Sequence, residues 1–300
     1  MTVPAVVALD IGGTTLKGAL VGRDGQVLAR RDLPTPAAGG EAVLRAVLDL
    51  ARHLATAGAG VVAAVAVAPG RVEDGAVRYA GNLGWRDVPL AARLARSLRV
   101  PVAAENDVSA AALAESVLGG SGPDCLFVAL GTGVGAAQVR DGAVLPGATG
   151  TAGEIGHIPV YPEGEPCECG QRGCLERYAS AAGLARRHQA LAGGGPSRAE
   201  EVVARLGQDP AADRVWRDAV EALALALVHA VLLLDPARVV LGGGLAGAGE
   251  ALLGPLRRRL AARLTWREPP PVGISALGTD AGWRGAALRA WRLAAPGTGT

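Results

Sequence analysis

The sequence predicts an α/β protein made of two related halves with a cleft between them. Stretches with strand character alternate with stretches of helical periodicity along most of the 300 residues, which is typical of α/β folds with mixed sheets. A pattern found at the start of the chain also returns near its middle. Half of the residues are hydrophobic, which is enough for one large or two medium-sized domains with a substantial core.

The first half begins with a buried strand at 5–10, a Gly/Thr turn at 11–15 and a second strand at 16–21. Asp24-Gly25 follows, and Asp-Gly between apolar segments indicates a hairpin that leads to a third strand at 26–33. We then predict helices at 40–57, 90–98 and 108–118 and strands at 61–67 and 101–105. The last third is predicted to contain helices at 178–190, 197–206, 211–234, 248–264 and 282–294 and strands at 238–241 and 272–275.

The middle of the chain repeats the opening pattern. A strand, a Gly/Thr loop, a strand and an Asp-Gly turn recur in the same order within 126–145, and residues 140–145 nearly copy residues 23–28. Six similar residues can arise by chance, but the shared order of these features favours an internal duplication. The two Gly/Thr loops would then hold phosphate from the two sides of one cleft.

Charge and hydropathy exclude two classes of partner. The net charge of +2, with basic residues spread along the chain, is too small for a nucleic-acid-binding surface. No uninterrupted apolar run reaches the roughly 18 residues that span a membrane, and no cationic leader precedes an apolar segment at the start. We therefore expect a soluble cytoplasmic protein whose thiols stay reduced.

The most specific motif is a cysteine cluster preceded by a histidine. Cys167, Cys169 and Cys174 lie within eight residues, and His157 lies ten residues before the first of them. Three thiolates and one imidazole form a complete tetrahedral ligand set for a structural zinc ion. A disulfide pair or buried core cysteines are the alternatives, but the segment has no apolar pattern, and disulfide frameworks are typical of small secreted domains. Cys125, by contrast, lies in an apolar run and is expected in the core.

Two carboxylates are interleaved with these candidate metal ligands. Glu154 lies just before His157, and Glu176 lies just after Cys174. A bound metal would therefore also fix the two acidic side chains, which indicates a metal site that shapes a polar pocket.

The first Gly/Thr turn has the chemistry of a phosphate site. Its residues are Asp10, Gly12, Gly13, Thr14 and Thr15. Glycines let backbone N–H groups approach anionic oxygen, and threonines add donors. The turn matches neither the Walker loop nor the dinucleotide fingerprint, so alone it is also compatible with a plain hairpin. Together with Gly131, Thr132 and Gly133 of the second loop, it predicts a two-sided phosphate clamp. Asp10 could hold Mg²⁺ through water, and Lys17 either reaches a phosphate or points away.

Asp107 is the best candidate for a catalytic base. It follows Asn106 where a short strand meets a helix, and both residue types are also favoured as helix N-caps. The two functions are compatible, because one residue can cap the helix while the other faces a substrate. A carboxylate near a sugar hydroxyl can accept its proton as phosphoryl transfer proceeds. Asn82, in the loop 81–85, is by itself an ordinary turn residue.

Taken together, these motifs resemble those of the ROK family of sugar kinases, above all its bacterial ATP-dependent glucokinases. The matching segments are 10–14, 68–70, 82–85, 105–107, 131–135, 153–157, 167–176, 242–244 and 278–282. They cover nearly the whole chain in the family's order. The cysteine segment is the most specific of them and the glycine turns are the least specific.

The resemblance implies an actin/hexokinase-like (ribonuclease H-like) duplicated fold, with two α/β domains that close around sugar and ATP. The small domain would comprise 1–118 and the last helix at about 283–295, and the large domain 119–282 with the zinc-binding segment. ATP, Mg²⁺ and a structural Zn²⁺ are the implied cofactors. The implied assembly is a homodimer or a homotetramer.

The resemblance also implies roles for individual residues. Asp107 would deprotonate the 6-hydroxyl of the sugar. Sugar contacts would come from Asn82, Asn106, Asp107, Glu154, His157 and Glu176. Phosphate contacts would come from the two Gly/Thr turns, and Gly243 and Gly244 would lie near the adenosine. His157 would bind zinc through one ring nitrogen and face the sugar with the other.

Glucose is the favoured substrate, because a carboxylate at Glu154 suits a free hydroxyl better than an acetamido group. N-acetylmannosamine, fructose and mannose remain open. A non-catalytic sugar-sensing or repressor protein of the same family is the alternative from a different class. The retained Asp107 argues against a sensor, and a first strand that starts by residue 5 leaves no room for an N-terminal winged helix. Ser109, Ala136, Ala137 and Trp283 depart from the family pattern, and Trp283 could alter the adenine pocket.

Overall fold

The computed structural model describes residues 3–58, 60–194 and 198–295. The chain forms two compact units, and each unit is built from more than one segment of the chain. The first unit consists of Met1–Ala114, Pro146–Thr151 and Asp280–Thr300, and the second of Glu115–Leu145 and Ala152–Thr279. The domain limits given from the sequence, 1–118 with 283–295 and 119–282, stay a prediction.

Strands and helices alternate as expected for an α/β fold. The strands are β1 (Pro4–Ile11), β2 (Thr15–Gly22), β3 (Val27–Pro34), β4 (Gly60–Ala68), β5 (Arg71–Glu73), β6 (Ala76–Ala80), β7 (Trp85–Val88), β8 (Val102–Asn106), β9 (Cys125–Leu130), β10 (Val134–Arg140), β11 (Ala143–Val144), β12 (Val239–Gly242) and β13 (Val272–Ile274). The α-helices are α1 (Gly40–Ala55), α2 (Leu90–Leu98), α3 (Asp107–Val117), α4 (Glu176–Ala179), α5 (Ala181–Ala192), α6 (Ala199–Ala204), α7 (Pro210–Leu234), α8 (Glu250–Arg263) and α9 (Ala281–Ala294).

Two five-stranded sheets share one strand order. In the first unit the order is β3-β2-β1-β4-β8, where β1, β2 and β3 are antiparallel neighbours and β4 and β8 continue parallel to β1. In the second unit the order is β11-β10-β9-β12-β13, with the same strand directions. Strand β1 therefore corresponds to β9, and the turns that follow them correspond as well, in agreement with the predicted duplication.

The central strand β1 is buried on both faces of the first sheet, which explains why it is a continuous apolar run. Successive side chains of a strand point to opposite faces, so Val7 and Leu9 join one core with α1 and α2, and Val6 and Ala8 join another with α9. Trp283 of α9 belongs to this second core and is only 2% exposed. The indole of Trp283 is thus used in packing, and its effect on the adenine pocket stays a prediction.

The core of the second unit lies between its sheet and the long helix α7. Leu126 and Val128 of β9 are in one hydrophobic cluster with Leu223 and Leu227 of α7. Asp209 caps this helix, because its Oδ1 accepts a hydrogen bond from the Ala211 N–H at 2.8 Å. Although α7 has 25 residues, no helix of the described ranges is long and apolar enough to cross a bilayer.

Two local features differ from the prediction. A small antiparallel sheet, β5-β6-β7, lies between β4 and α2, where no strand was predicted. Its strands have only three to five residues, too few for a clear alternating pattern. The helix predicted at 178–190 is divided into α4 and α5, because Ser180 is extended and its Oγ accepts the Gly183 N–H at 2.9 Å as an N-cap.

Candidate functional site

The Gly/Thr turn after β1 is held by a set of short hydrogen bonds. The Gly12 N–H donates to the Thr15 carbonyl oxygen at 3.0 Å, and the Thr35 hydroxyl donates to the Gly12 carbonyl oxygen at 2.6 Å. The Thr35 N–H also donates to the Thr14 carbonyl oxygen at 2.9 Å. A Cβ on Gly12 would lie 2.9 Å from the Thr15 oxygen, which is too close for any larger residue. The predicted phosphate turn is thus a loop whose conformation is fixed by the protein itself.

Asp10 is the last residue but one of β1, beside this turn, and its carboxylate lies in an unusual charge environment. Its carboxylate lies against the start of α9, where a Cβ on Gly282 would be 2.6 Å from Oδ2. Burial and the charge of Asp107 raise the pKa of Asp10 to about 7, and Asp280 adds to the shift. Lys17, the register partner of Asp10 on β2, lowers this pKa. Negative charge therefore accumulates here, and Asp10 changes its protonation near neutral pH.

Sequence reasoning missed Asp280 as a site residue. Arg30 donates two hydrogen bonds to its carboxylate, at 2.7 and 2.9 Å. Burial would raise the pKa of Asp280, but the hydrogen bonds from Arg30 hold it below its ordinary value. The sequence did contain a signal for Asp280, because this residue lies in 278–282, one of the segments that match the family pattern. Its proximity to Asp10 exists only because α9 returns to the first unit.

We expect Asp10→Asn to stabilise the protein at neutral and alkaline pH. Folding raises the pKa of Asp10 from 3.8 to about 7, so wild-type stability falls as pH rises between these values. Asparagine lacks this penalty, which amounts to as much as about 4 kcal/mol above the folded pKa. Urea unfolding of both proteins in Mg²⁺-free buffer at about pH 5 and about pH 8 measures the difference. A difference that does not grow with pH would contradict the raised pKa.

Asn106 and Asp107 have different structural tasks at the start of α3. The Asn106 Oδ1 accepts the Ser109 N–H at 3.0 Å, and the Asn106 Nδ2 donates to the Gly70 carbonyl oxygen at 3.0 Å. Asn106 is therefore the N-cap of this helix. The partly buried Asp107 accepts the Val108 N–H on its Oδ1 at 2.8 Å, which orients the carboxylate.

Asn82 lies next to the first phosphate turn. It belongs to a single 3₁₀ turn, Gly81–Leu83, and a Cβ on Gly13 would lie 3.0 Å from its Nδ2. The missing side chain at Gly13 therefore makes room for the Asn82 amide. The first unit carries, around the carboxyl ends of the parallel strands β1, β4 and β8, the predicted residues Asp10, Gly12, Gly13, Thr14, Thr15, Lys17, Asn82, Asn106 and Asp107. Ligand sites in open α/β sheets favour this edge.

The second unit contains the predicted metal ligands as one cluster. One ligand atom from each of His157, Cys167, Cys169 and Cys174 lies within 4.8 Å of the others. The Cys169 and Cys174 Sγ atoms are 3.6 Å apart, and the Cys167 Sγ is 3.9 Å from the His157 Nδ1. Tetrahedral zinc, with bonds of about 2.0–2.3 Å, separates its ligands by about 3.5–3.8 Å. The donor set and these two distances are compatible with zinc, and the His157 Nδ1 is the ring nitrogen that faces the Cys167 thiol.

The second Gly/Thr loop, between β9 and β10, is in contact with Glu176. The Gly131 N–H donates to the Gly133 carbonyl oxygen at 3.0 Å, which closes the loop. The Val134 N–H donates to the Glu176 Oε2 at 2.9 Å. A Cβ on Gly133 would lie 2.5 Å from the same oxygen. A residue predicted to bind sugar thus contacts the loop predicted to hold phosphate, which sequence reasoning did not anticipate.

A third glycine turn lies beside this loop. Gly243 follows β12 with a φ of +82°, and a Cβ there would lie 2.4 Å from the Leu130 carbonyl oxygen at the end of β9. Both the positive φ and the close approach require glycine. Because β9 and β12 are adjacent and parallel, the turns at 131–133 and 243–244 lie side by side at their carboxyl ends.

The chain is similar to known proteins over nearly its whole length. A family model described as "ROK family" matches residues 6–292. A "Glucokinase" from Halalkalibacterium halodurans is 36% identical over 306 residues, which cover 92% of each chain. An "N-acetylmannosamine kinase" from Shigella flexneri is 36% identical over 293 residues, which cover 95% of this chain and 98% of that one. The crystal structure of a ROK family glucokinase from Streptomyces griseus in complex with glucose and AMPPNP matches with a TM-score of 0.84 and 31% identity, covering 96% of this chain and 99% of that one. The predicted fold class is confirmed.

Proposed function

Because the chain belongs to the ROK family, we propose that it transfers the terminal phosphoryl group of ATP to the 6-hydroxyl of glucose. The observation that carries this proposal is the match, over nearly the whole chain, to a glucokinase that binds glucose and AMPPNP. The protein is an ATP-dependent hexose kinase, and its own side chains supply the groups that this reaction needs.

Asp107 is the proposed general base. Its carboxylate accepts the proton of the sugar 6-hydroxyl while the hydroxyl oxygen attacks the terminal phosphorus atom. Asn106 supplies the N-cap of α3, so this structural task does not fall to Asp107. The hydrogen bond from the Val108 N–H fixes the orientation of the base. Since phosphoryl transfer has a loose transition state, such positioning is the main contribution that a protein can make.

The remaining predicted residues are proposed to bind the two substrates. Carboxylates accept hydrogen bonds from sugar hydroxyls, and amides both donate and accept, which makes them suitable for a polyhydroxylated ring. The proposed sugar ligands are Asn82, Asn106, Asp107, Glu154, His157 and Glu176. His157 retains its Nε2 for the sugar when Nδ1 binds a metal. The turns at 12–15 and 131–133 and the Lys17 ammonium are proposed for the phosphates, and Gly243 and Gly244 for the adenosine. The Gly12 and Gly131 N–H groups bond within their own turns, so the other N–H groups of the two turns are the proposed donors.

Two metal ions fit the residues that are present. Asp10 offers the hard carboxylate oxygen that Mg²⁺ prefers, and its pKa is raised by burial and then by the charge of Asp107, both of which a bound cation would offset. When bound, Mg²⁺ neutralises charge on the phosphate oxygens. The Cys₃His cluster fits zinc, which would connect chain segments and supply no chemistry to the reaction.

A coupled assay with ATP, Mg²⁺ and a panel of hexoses tests this function. We expect glucose to give the highest kcat/KM. N-acetylmannosamine is the second candidate, because a kinase with that name is as similar to this chain as the glucokinase is. The Glu154 carboxylate favours glucose, because it accepts a hydrogen bond from a hydroxyl more readily than it accommodates an acetamido group. Faster turnover of N-acetylmannosamine, fructose or mannose would show that this sugar, and not glucose, is the preferred substrate. If no sugar is phosphorylated, the protein would be a sensor.

We also propose that the protein is a cytoplasmic homodimer or homotetramer. The cytoplasm keeps thiols reduced and thereby available to zinc. Leu233 and Trp266 are 83% and 73% exposed on the second unit, and they offer apolar surface for contacts between copies. Light scattering over a range of concentrations gives the mass, and a monomer throughout would contradict the proposed assembly.

A further inference from the structure

We propose that Glu176 positions the phosphate loop at 131–135, and that the metal segment thereby sets the affinity for the nucleotide as well as for the sugar. This inference rests on the proposed function, since it takes the loop to hold the phosphoryl donor. It assigns to Glu176 a positioning role beyond contact with the sugar.

The contact between Glu176 and the loop is direct. The Val134 N–H donates to the Glu176 Oε2 at 2.9 Å, and hydrogen bonds to a carboxylate are stronger than those between neutral groups. Gly133 fits because it lacks a side chain, as its Cβ would be only 2.5 Å from the same oxygen. One carboxylate oxygen is therefore enclosed by two consecutive residues of the loop. Glu176 itself lies two residues after the metal ligand Cys174.

The segment around His157, the candidate histidine ligand, also contacts β10. A Cβ on Gly156, the residue before His157, would lie 2.2 Å from the Val134 carbonyl oxygen. The Ala136 N–H donates to the Gly153 carbonyl oxygen at 2.7 Å. The segments around His157 and Cys174 thus both contact Val134 or its neighbours.

A metal bound to the Cys₃His cluster would link these two segments through its coordination bonds. The protein adds backbone hydrogen bonds between them, from the Leu175 N–H to the Ile158 carbonyl oxygen at 2.9 Å and from the Tyr161 N–H to the Gly173 carbonyl oxygen at 3.2 Å. The Gly131 carbonyl oxygen at the start of the loop accepts the Ala181 N–H at 2.8 Å, so the chain after Glu176 holds the loop a second time. Loss of the metal would loosen both segments and, with them, the loop between β9 and β10.

The two oxygens of Glu176 also provide a route for coupling between substrates. Oε2 is used by the loop, whereas Oε1 has no hydrogen-bond partner among the residues that the structure describes. A sugar hydroxyl on Oε1 would hold the carboxylate in the orientation that the Val134 N–H needs. Sugar and nucleotide are then expected to strengthen each other's binding by the same factor.

The test measures nucleotide binding in the absence of sugar. A nonhydrolysable ATP analogue is titrated calorimetrically into wild type, Glu176→Ala and Glu176→Gln, all in the zinc-loaded form. We expect Glu176→Ala to bind the analogue about 10-fold more weakly, and Glu176→Gln, which keeps an acceptor oxygen, within about 3-fold of wild type. Glu154→Ala is the matched control, because it removes a proposed sugar carboxylate that makes no hydrogen bond to the loop among the described residues. It should weaken glucose binding and leave analogue binding unchanged.

A double-mutant cycle separates positioning from a general disturbance of the loop. Gly133→Ala should weaken analogue binding in the wild-type background and have little further effect in Glu176→Ala, where the conflicting carboxylate is absent. Additive effects, or wild-type analogue affinity in Glu176→Ala, would overturn the inference. Glucose phosphorylation by wild type is measured first, because its absence would refute the proposed function instead. Zinc content and thermal midpoint of each variant show whether it is folded, and if Glu176→Ala is not, Glu176→Asp replaces it, since the shortened side chain should also lose the Val134 bond.

Discussion

Replacing Asp107 by asparagine is expected to lower kcat for glucose phosphorylation by about 10²–10⁴-fold, the usual contribution of a general base. Asparagine has nearly the same size and still accepts the Val108 N–H on its Oδ1, so the start of α3 should be preserved. It cannot take up the proton of the 6-hydroxyl. Glucose affinity should therefore stay within a few-fold of wild type, as measured by calorimetry beside steady-state kinetics.

The same chemical change at a remote site is the control for this experiment. Asp49→Asn removes a carboxylate from the surface of α1, where the side chain is 66% exposed, and kcat should not change. A near-normal kcat in Asp107→Asn would remove Asp107 from the catalytic role. A large loss of glucose affinity with unchanged kcat would assign Asp107 to binding alone.

Replacing Cys169 by serine is expected to remove zinc and to raise the KM for glucose by about 10-fold or more. Serine keeps the size of the side chain, but its hydroxyl does not replace a thiolate in a structural zinc site. Cys169 is exposed, so the change creates no cavity in the core. Because His157 and Glu176 belong to segments that the metal would join, both proposed sugar ligands should lose their positions. Elemental analysis gives the zinc content and steady-state kinetics give KM.

Cys125→Ala serves as the matched control for the loss of a thiol. Cys125 is buried in β9, and burial raises the pKa of its thiol to about 11, so it stays protonated. This variant should retain zinc and a wild-type KM. Complete loss of zinc in Cys169→Ser with unchanged kcat/KM would show that the metal does not shape the sugar site.

The fold could be predicted well from the sequence wherever the signal is local. The strand, Gly/Thr loop, strand and Asp-Gly turn of each half are encoded within about 25 residues, because hairpins depend on turn chemistry between neighbouring segments. Their recurrence predicted a duplication, and the two sheets indeed have the same strand order. The short strands β5, β6 and β7 were missed for the opposite reason, since each carries too few residues to show a period.

By itself the sequence determined the α/β class, the recurrence of the opening pattern and the candidate metal ligands, because residue type, spacing and hydropathy period are properties of neighbouring residues. Only the tertiary structure decided that Asn106 caps α3, that Trp283 is used in the core, and that Glu176 holds the Val134 N–H. It also decided the raised pKa of Asp10, which depends on burial and on the charge of Asp107. These features arise from contacts and desolvation between segments far apart in the chain, and no local pattern encodes them.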